Sequence, residues 1–205
     1  MSTKNELNAN TTEIVEISSL KDLIRIGKSS FDDPLDKHYV LTSDIDLSKC
    51  DENVLPIAVN LTGTFDGNGH TISNYTGKNF LFKYIGETGV LKNLTVHNFN
   101  ILGIYPIGDI NGYGIFAYEN YGGKIEKCGV FESKIKSSMK VDDLMTIGTI
   151  ARLNSGIISQ CVVDSVTIES SCSEHIGGIV GRTYNGIVSN CQVRNCCFDG
   201  KKYIG

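Results

Sequence analysis

The chain has 205 residues, with 22 Gly, 3 Pro, no Trp, a hydrophobic share of 40% and a formal net charge of -4. That is about one domain's length, and the mild acidity excludes a general nucleic-acid binder, which needs a basic face. No apolar run approaches the roughly 18 residues of a membrane span, so no membrane partner is expected.

Met1 to Thr12 is polar and reads as a disordered tail without the basic flank and apolar stretch of a secretory signal. As given, the chain is expected to be soluble and cytoplasmic, or at the cell surface or secreted if it is a piece of a larger exported protein. Glu13 to Ile17 forms a short strand. Ser18 to Gly27 predicts a helix with Ser19 as cap, Asp22 completing a variant capping box, and Gly27 as the stop. Leu20, Leu23 and Ile24 share one face, which suits a cap over the end of a solenoid.

Phe31 to Lys37 is a polar loop around Pro34. Tyr39–Leu41 and Ile45–Leu47 are short strands, and a loop runs through Cys50 to Asn53. Asp66-Gly67-Asn68-Gly69 is a tight turn feeding an alternating strand from Thr71 to Tyr75.

Beyond it a repeat can be written in columns. Tyr75, Leu94, Cys128, Cys161 and Cys191 fill one position, preceded by Asn74, Asn93, Lys127, Gln160 and Asn190. Val96, Val130, Val163 and Val193 fall two residues later, and Ile101, Ile135, Ile168 and Phe198 five beyond those. A turn glycine precedes each unit: Gly69, Gly89, Gly123, Gly156 and Gly186. The successive spacings along Leu94, Cys128, Cys161 and Cys191 are 34, 33 and 30 residues. No unit of short alternating strands buries its inward face alone, whereas stacking like on like does. The expectation is an all-β, right-handed parallel β-helix with a short N-terminal capping helix, one domain over residues 13–205 with cap and first rungs in 13–75.

In the last full unit, Ile176 to Ile179 reads as part of an apolar strand. The surplus length of the units lies in Leu102–Tyr113, Lys136–Thr146, Glu169–His175 and Asp199–Tyr203, read as corner loops stacked along one flank. Tyr203-Ile204-Gly205 aligns with His175-Ile176-Gly177 as the opening of another rung. Ile187, Val193, Phe198 and Ile204 would then be uncovered and offer a route to homo-oligomers.

Gly178-Ile179-Val180-Gly181 followed by Asn185-Gly186-Ile187-Val188-Ser189-Asn190-Cys191 resembles the GLUG repeat of bacterial surface and adhesin-like proteins. Tyr39 to Leu47 with Gly63 to Ile72 looks like the unit that often precedes such repeats. The resemblance implies a pectin-lyase-like right-handed β-helix, usually non-catalytic, in large exported proteins. Gly114-Ile115-Phe116-Ala117 and Gly148-Thr149-Ile150-Ala151 depart from it by replacing the final Gly with Ala.

Carboxylates at Asp44, Asp46 and Asp66, and at Asp142 and Asp143, raise the possibility of glycoside cleavage, which uses such pairs. No Arg, Lys or His recurs beside them, and Asp66 reads as a turn residue. Neither catalytic residues nor a cofactor is assigned. The Cys128, Cys161, Cys191 column reads as buried thiols rather than metal ligands, since ladder spacing lines sulfurs up instead of setting tetrahedral corners. Cys196 matches Val166 and points inward, leaving Cys197 exposed. The Asn column reads as a polar ladder satisfying corner backbone groups. Tyr105, Tyr113, Tyr118, Tyr121 and Tyr184, with Asp109, Asp142, Asp143 and Glu174 nearby, make an aromatic and acidic loop face suited to a protein partner or a glycan. The leading reading is a non-catalytic β-helix binding a macromolecule through its stacked corner loops, in the cytosolic case an interaction or inhibitory protein of phage type. The alternatives are a surface-adhesin fragment and a polysaccharide lyase or hydrolase.

Overall fold

The structure, a computed structural model, describes residues 13–26, 34–51, 54–102, 112–137, 145–171, 173–200 and 203–205, with only the backbone of Ser173, Glu174, Tyr203 and Ile204. The expected tail over residues 1–12 and the expected stop at Gly27 lie outside the described residues. No described helix is long and apolar enough to cross a membrane.

Parallel strands stack into a β-solenoid of four sheets, with every ladder among the described residues running in the same sense. Sheet A stacks Ile14–Ile17, His38–Leu41, Thr64–Asp66, Val90–Lys92, Lys124–Glu126, Ile157–Ser159 and Ile187–Ser189. Sheet B stacks Ala58–Leu61, Phe82–Ile85, Ala117–Asn120, Ala151–Asn154 and Val180–Thr183. Sheet C begins with Ile45–Asp46, Thr71–Gly77 and Thr95–Leu102, then continues as two strands per rung through Gly129–Ser137, Val162–Ser170 and Gln192–Asp199. Sheet D stacks Gly112–Tyr113, Met145–Gly148, Ser173–Gly177 and Tyr203–Ile204.

Each inward column is apolar because a rung covers only its neighbour. Phe65, Leu91, Ile125 and Ile158 stack in sheet A, and Ile72, Val96, Val130 and Val163 in sheet C, all fully buried. Burying each such side chain stabilises by about 1.5–3 kcal/mol. The helix, Leu20–Ile26, is capped as its sequence predicts: the Asp22 N–H donates to Ser19 Oγ (3.2 Å), and Asp22 Oδ2 accepts from Ser19 Oγ–H (2.7 Å). Its Leu20, Leu23 and Ile24 lie against Leu47, Leu55 and Ile57 at the first rungs.

Two corners recur from rung to rung between and within sheets A and C from Asn74 onward, and both use left-handed backbone. The first holds Asn93, Lys127, Gln160 and Asn190 at φ of 52–55°, and the second holds Asn74, Asn98, Glu132, Ser165 and Asn195 at 47–61°. The Asn column is therefore a conformational requirement, met by the residue that tolerates positive φ. Two of its side chains reach carboxylates of the preceding rung: Asn74 Nδ2–H donates to Asp46 (3.1 Å) and Asn93 Nδ2–H to Asp66 (3.0 Å).

Three expectations are corrected. Tyr75 does not share the Leu94 column; it stacks on Phe99, with ring centroids 4.5 Å apart, one corner further along. Gly69 likewise sits at the first corner beside Asn93, and the residue that stacks on Gly89 in the glycine column is Gly63, just before Thr64. Two Asn-rich corners five residues apart look alike in sequence, so a slip of one corner preserves the pattern. Finally, the stretches read as corner loops end in the strands of sheet D, and Gly178-Ile179 is a corner between sheets D and B rather than strand. Gly114 and Gly148 open the equivalent corners, where a Cβ would overlap the carbonyl of Ala117 or Ala151.

The thiol ladder is inward as expected. Cys128 and Cys161 are buried, and the Cys161 N–H donates to Cys191 Sγ (3.5 Å). Burial pushes the Cys128 thiol well up, so it stays protonated as apolar fill. Cys196 packs on the core and Cys197 is exposed.

A polar ladder crosses the core instead at the end of sheet B. Asn120 Nδ2–H donates to Asn154 Oδ1 (2.7 Å), which also accepts from the Gly156 N–H (3.2 Å), while Asn154 Nδ2–H donates to the Ile187 carbonyl (3.3 Å). Both asparagines are fully buried. Replacing Asn154 with Ala strands the Asn120 amide and the Gly156 N–H, so a loss of about 2–3 kcal/mol is expected. Urea unfolding of N154A against wild type measures it; a change within about 0.5 kcal/mol, the range of an ordinary surface substitution, would remove this ladder from the account of stability.

Candidate functional site

The carboxylates that raised glycoside cleavage are occupied structurally. Asp44 Oδ1 accepts from the Thr71 N–H (2.9 Å) and lies 3.2 Å from His70 Nδ1; the first contact, then the second, holds its carboxyl below the usual range. Asp46 accepts from the Ser48 N–H (2.9 Å) and hydroxyl (3.0 Å) and from Asn74, which lowers it in the same way. At Asp66 burial opposes ionisation, but bonds from Asn93, the Asn68 N–H and Lys92 outweigh it and leave the carboxyl lowered. Each carboxylate pins one rung to the next or closes a turn. Asp142 and Asp143 lie outside the described residues.

The expected loop face is distributed differently. Tyr105 and Asp109 lie outside the described residues, as does the side chain of Glu174. Tyr113 is inside the solenoid at 2% exposure, where burial and then the nearby Tyr118 push its phenol far up. Tyr118 is nearly covered, between Phe80 (centroids 5.7 Å), Tyr84 (6.5 Å) and the Arg152 guanidinium, 4.6 Å over its ring. Tyr121 and Tyr184 are exposed, at 56% and 45%.

What gathers them is sheet B. Phe82–Ile85 and Ala151–Asn154 bury their first and last residues and leave the middle pair less covered. Asn60 and Tyr118 are covered in their strands as well, and Val180–Thr183 is half-buried to exposed throughout. Asn60, Tyr84, Glu119, Leu153 and Arg182 stack in register down one such column. Cations sit on the aromatics along it: Lys83 Nζ lies 5.3 Å over Tyr84, and the Arg182 guanidinium 4.6 Å over Tyr184. Such pairs are worth about 0.5–1 kcal/mol when exposed.

At the Asn60 end the face opens into a groove of about 560 Å³. Tyr84, Glu119 and Tyr121 border it together with Asn60, Thr62 and the turn Gly86-Glu87-Thr88. Among the described residues no Lys or Arg lines it. Asn60 is only 8% exposed, and its Oδ1 has no hydrogen-bond partner. Burial raises the Glu119 carboxyl, with Arg152 opposing, and raises Tyr84 too, with Glu119 adding to it. Asn60, Tyr84, Glu87 and Glu119 were not singled out from sequence. They occupy ordinary strand and turn positions, and the only signal was their place just before the stacked glycines.

At the opposite end, Ile187, Val188 and Val193 are uncovered at 40–56% exposure. Val188 and Val193, with Phe198, Ile176 and Val180, border an open bowl of about 790 Å³. The side chain of Ile204 is outside the described residues.

No family model matches the chain. It is 37% identical over 111 residues to halomucin of Haloquadratum walsbyi (strain DSM 16790 / HBSQ001), an alignment covering 46% of this chain and 1% of that protein's length. A crystal structure from Bacteroides ovatus, of a candidate immunoglobulin A1 protease, superposes over 93% of this chain and 84% of its own with TM-score 0.48 and 14% identity.

Since Glu119 is raised, its charge costs stability above its folded-state titration and costs nothing at acid pH, where folded and unfolded chains are both protonated. Glu119→Gln is therefore expected to raise the melting temperature at pH 7 and to leave it unchanged near pH 3. Calorimetry at both values checks the sign; a loss at pH 7 would show that the carboxylate stabilises the fold.

Proposed function

We propose that the chain is a non-catalytic, adhesin-like binding segment, a β-solenoid holding a macromolecular partner against the outer face of sheet B. The observation that carries this reading is one face bearing exposed Tyr121 and Tyr184, cation-covered rings at Tyr84 and Tyr118, and an open groove. Aromatic and Arg side chains are the residues that most often anchor interfaces. The structural bonds of Asp44, Asp46 and Asp66 support a non-catalytic role over polysaccharide cleavage. The halomucin likeness supports the surface setting over a cytosolic one, since that relative bears the name of a mucin.

The test is binding of the fluorescently labelled chain to intact epithelial and microbial cells, with a Tyr121→Ala/Tyr184→Ala variant alongside. Saturable binding is expected, weakened about tenfold or more by the double substitution, as for loss of interface anchors. Absence of binding to every surface, or binding indifferent to the two substitutions, would overturn the reading.

A further inference from the structure

We infer that this chain assembles head to tail: the open edge of sheet A at Ile187–Ser189 takes the opposite edge, at Ile14–Ile17, of a second copy. Three observations lead there.

The first is where exposed apolar surface lies. Among the described residues, seven large apolar side chains stand exposed. Tyr121 and Tyr184 belong to the proposed binding face. The other five are at the two ends of the solenoid, Ile14 and Ile24 at one and Ile187, Val188 and Val193 at the other. Exposed apolar clusters of this kind mark association surfaces.

The second is register. Parallel pairing carries Ile14 through His38, Thr64, Val90, Lys124 and Ile157 to Ile187. The neighbouring inward column runs in the same way from Val15 to Val188. One more step of this ladder, made by a second copy, would set Ile14 on Ile187 and Val15 on Val188. Ile14 and Ile187 are 62% and 56% exposed, so the step covers the two most exposed aliphatic side chains with each other.

The third is the backbone, whose peptide groups alternate sides along a strand. The His38 and Thr42 N–H groups donate to the carbonyls of Glu13 and Ile17, which turns the peptide groups of Ile14 and Glu16 to the open edge. At the far end the Ile187 N–H donates to the Gly156 carbonyl, and the Ser189 carbonyl accepts from the Gln160 N–H, which leaves Val188 facing out. Ile14 and Glu16 of the second copy would therefore donate to Gly186 and Val188, in the pattern that already joins Ile187 to Gly156. Unpaired strand edges are templates for a further strand.

Head-to-tail order is favoured over the joining of two like ends. Two C-terminal edges related by a two-fold axis would pair antiparallel and break the like-on-like columns. Charge points the same way. Glu13, Glu16 and Asp22 outnumber Lys21 and Arg25 at the first end, whereas Arg182 and Arg194 outnumber Asp199 on the last full rung. The contact is heterologous, so assembly is open-ended. It would also repeat the outer face of sheet B along one axis, where weak sites gain through avidity.

The test takes the 205-residue chain through sedimentation velocity, from roughly 1 μM to roughly 1 mM, the span of weak affinities. Mass is expected to grow with concentration past the dimer. Ile14→Lys and Ile187→Lys alter exposed side chains, so each variant is expected to melt with wild type and, alone, to stay monomeric. Mixed in equal amounts they should recover a dimer and nothing larger, because each supplies the edge the other lacks. In wild type, the amides of Glu16 and Val188 should gain hydrogen-exchange protection together as concentration rises.

A strict monomer up to roughly 1 mM would overturn the inference. So would assembly that survives Ile14→Lys, the mark of two like ends joining, or two normally melting variants that fail to complement each other. Exchange protection at Glu16 and Val188 that ignores concentration would overturn it even where a variant misfolds.

Discussion

Everything in this molecule follows from parallel stacking of like on like. A rung here is too short to enclose a core, so its apolar column is buried only if the next rung places the same kind of residue about 4.8 Å away. That forces every rung to turn at the same points. Asn, Gly and Ser are the expected occupants of left-handed corners, yet Lys127, Glu132 and Gln160 hold the same conformation at φ of 47–55°. Left-handed backbone costs such residues roughly 1–2 kcal/mol. They bear it because the corner is fixed from both sides, as when the Lys127 N–H donates to the Ser159 carbonyl and the Gly129 N–H to that of Leu94. The ladder overrides local preference.

The same constraint decides where chemistry can reside. Inward columns are locked by the neighbours above and below. Two inward polar side chains, Asn120 and Asn154, form a ladder bonding to each other and to backbone, although Asn120 Oδ1 has no partner of its own. Carboxylates at the corners are drawn into pinning rungs together, which removes Asp44, Asp46 and Asp66 from the pool available for catalysis. The middle residues of the sheet B strands escape both demands. They are held at fixed intervals by backbone bonds, and at Tyr84, Glu119, Leu153 and Arg182 the side chains face outward, away from the locked inward columns.

Much of this was legible in the sequence, because a ladder writes itself as a column. The valines from Val96 to Val193 and the series Ile101, Ile135, Ile168 and Phe198 pair as the repeat predicts. The inward thiols and the outward Cys197 follow from the same register. The error at Tyr75 has a physical origin: two corners of equal backbone conformation recruit the same residues, so composition cannot tell them apart. Sheet D was hidden because its strands are short and glycine-containing and follow segments of variable length. The groove was illegible for another reason. Asn60, Tyr84 and Glu119 are far apart in the chain and match no motif, and they meet only because parallel pairing puts residue 60 beside 84 and 84 beside 119.

That juxtaposition is what makes such a scaffold useful for recognition. Down one outward column of sheet B the side chain changes from amide to phenol, carboxylate, alkyl and guanidinium, at Asn60, Tyr84, Glu119, Leu153 and Arg182, while the backbone beneath repeats. A partner laid along the axis therefore meets an ordered series of chemistries at nearly constant spacing. Changing one of them leaves the inward column, the corner and the ladder intact, so specificity can drift rung by rung at little cost to folding.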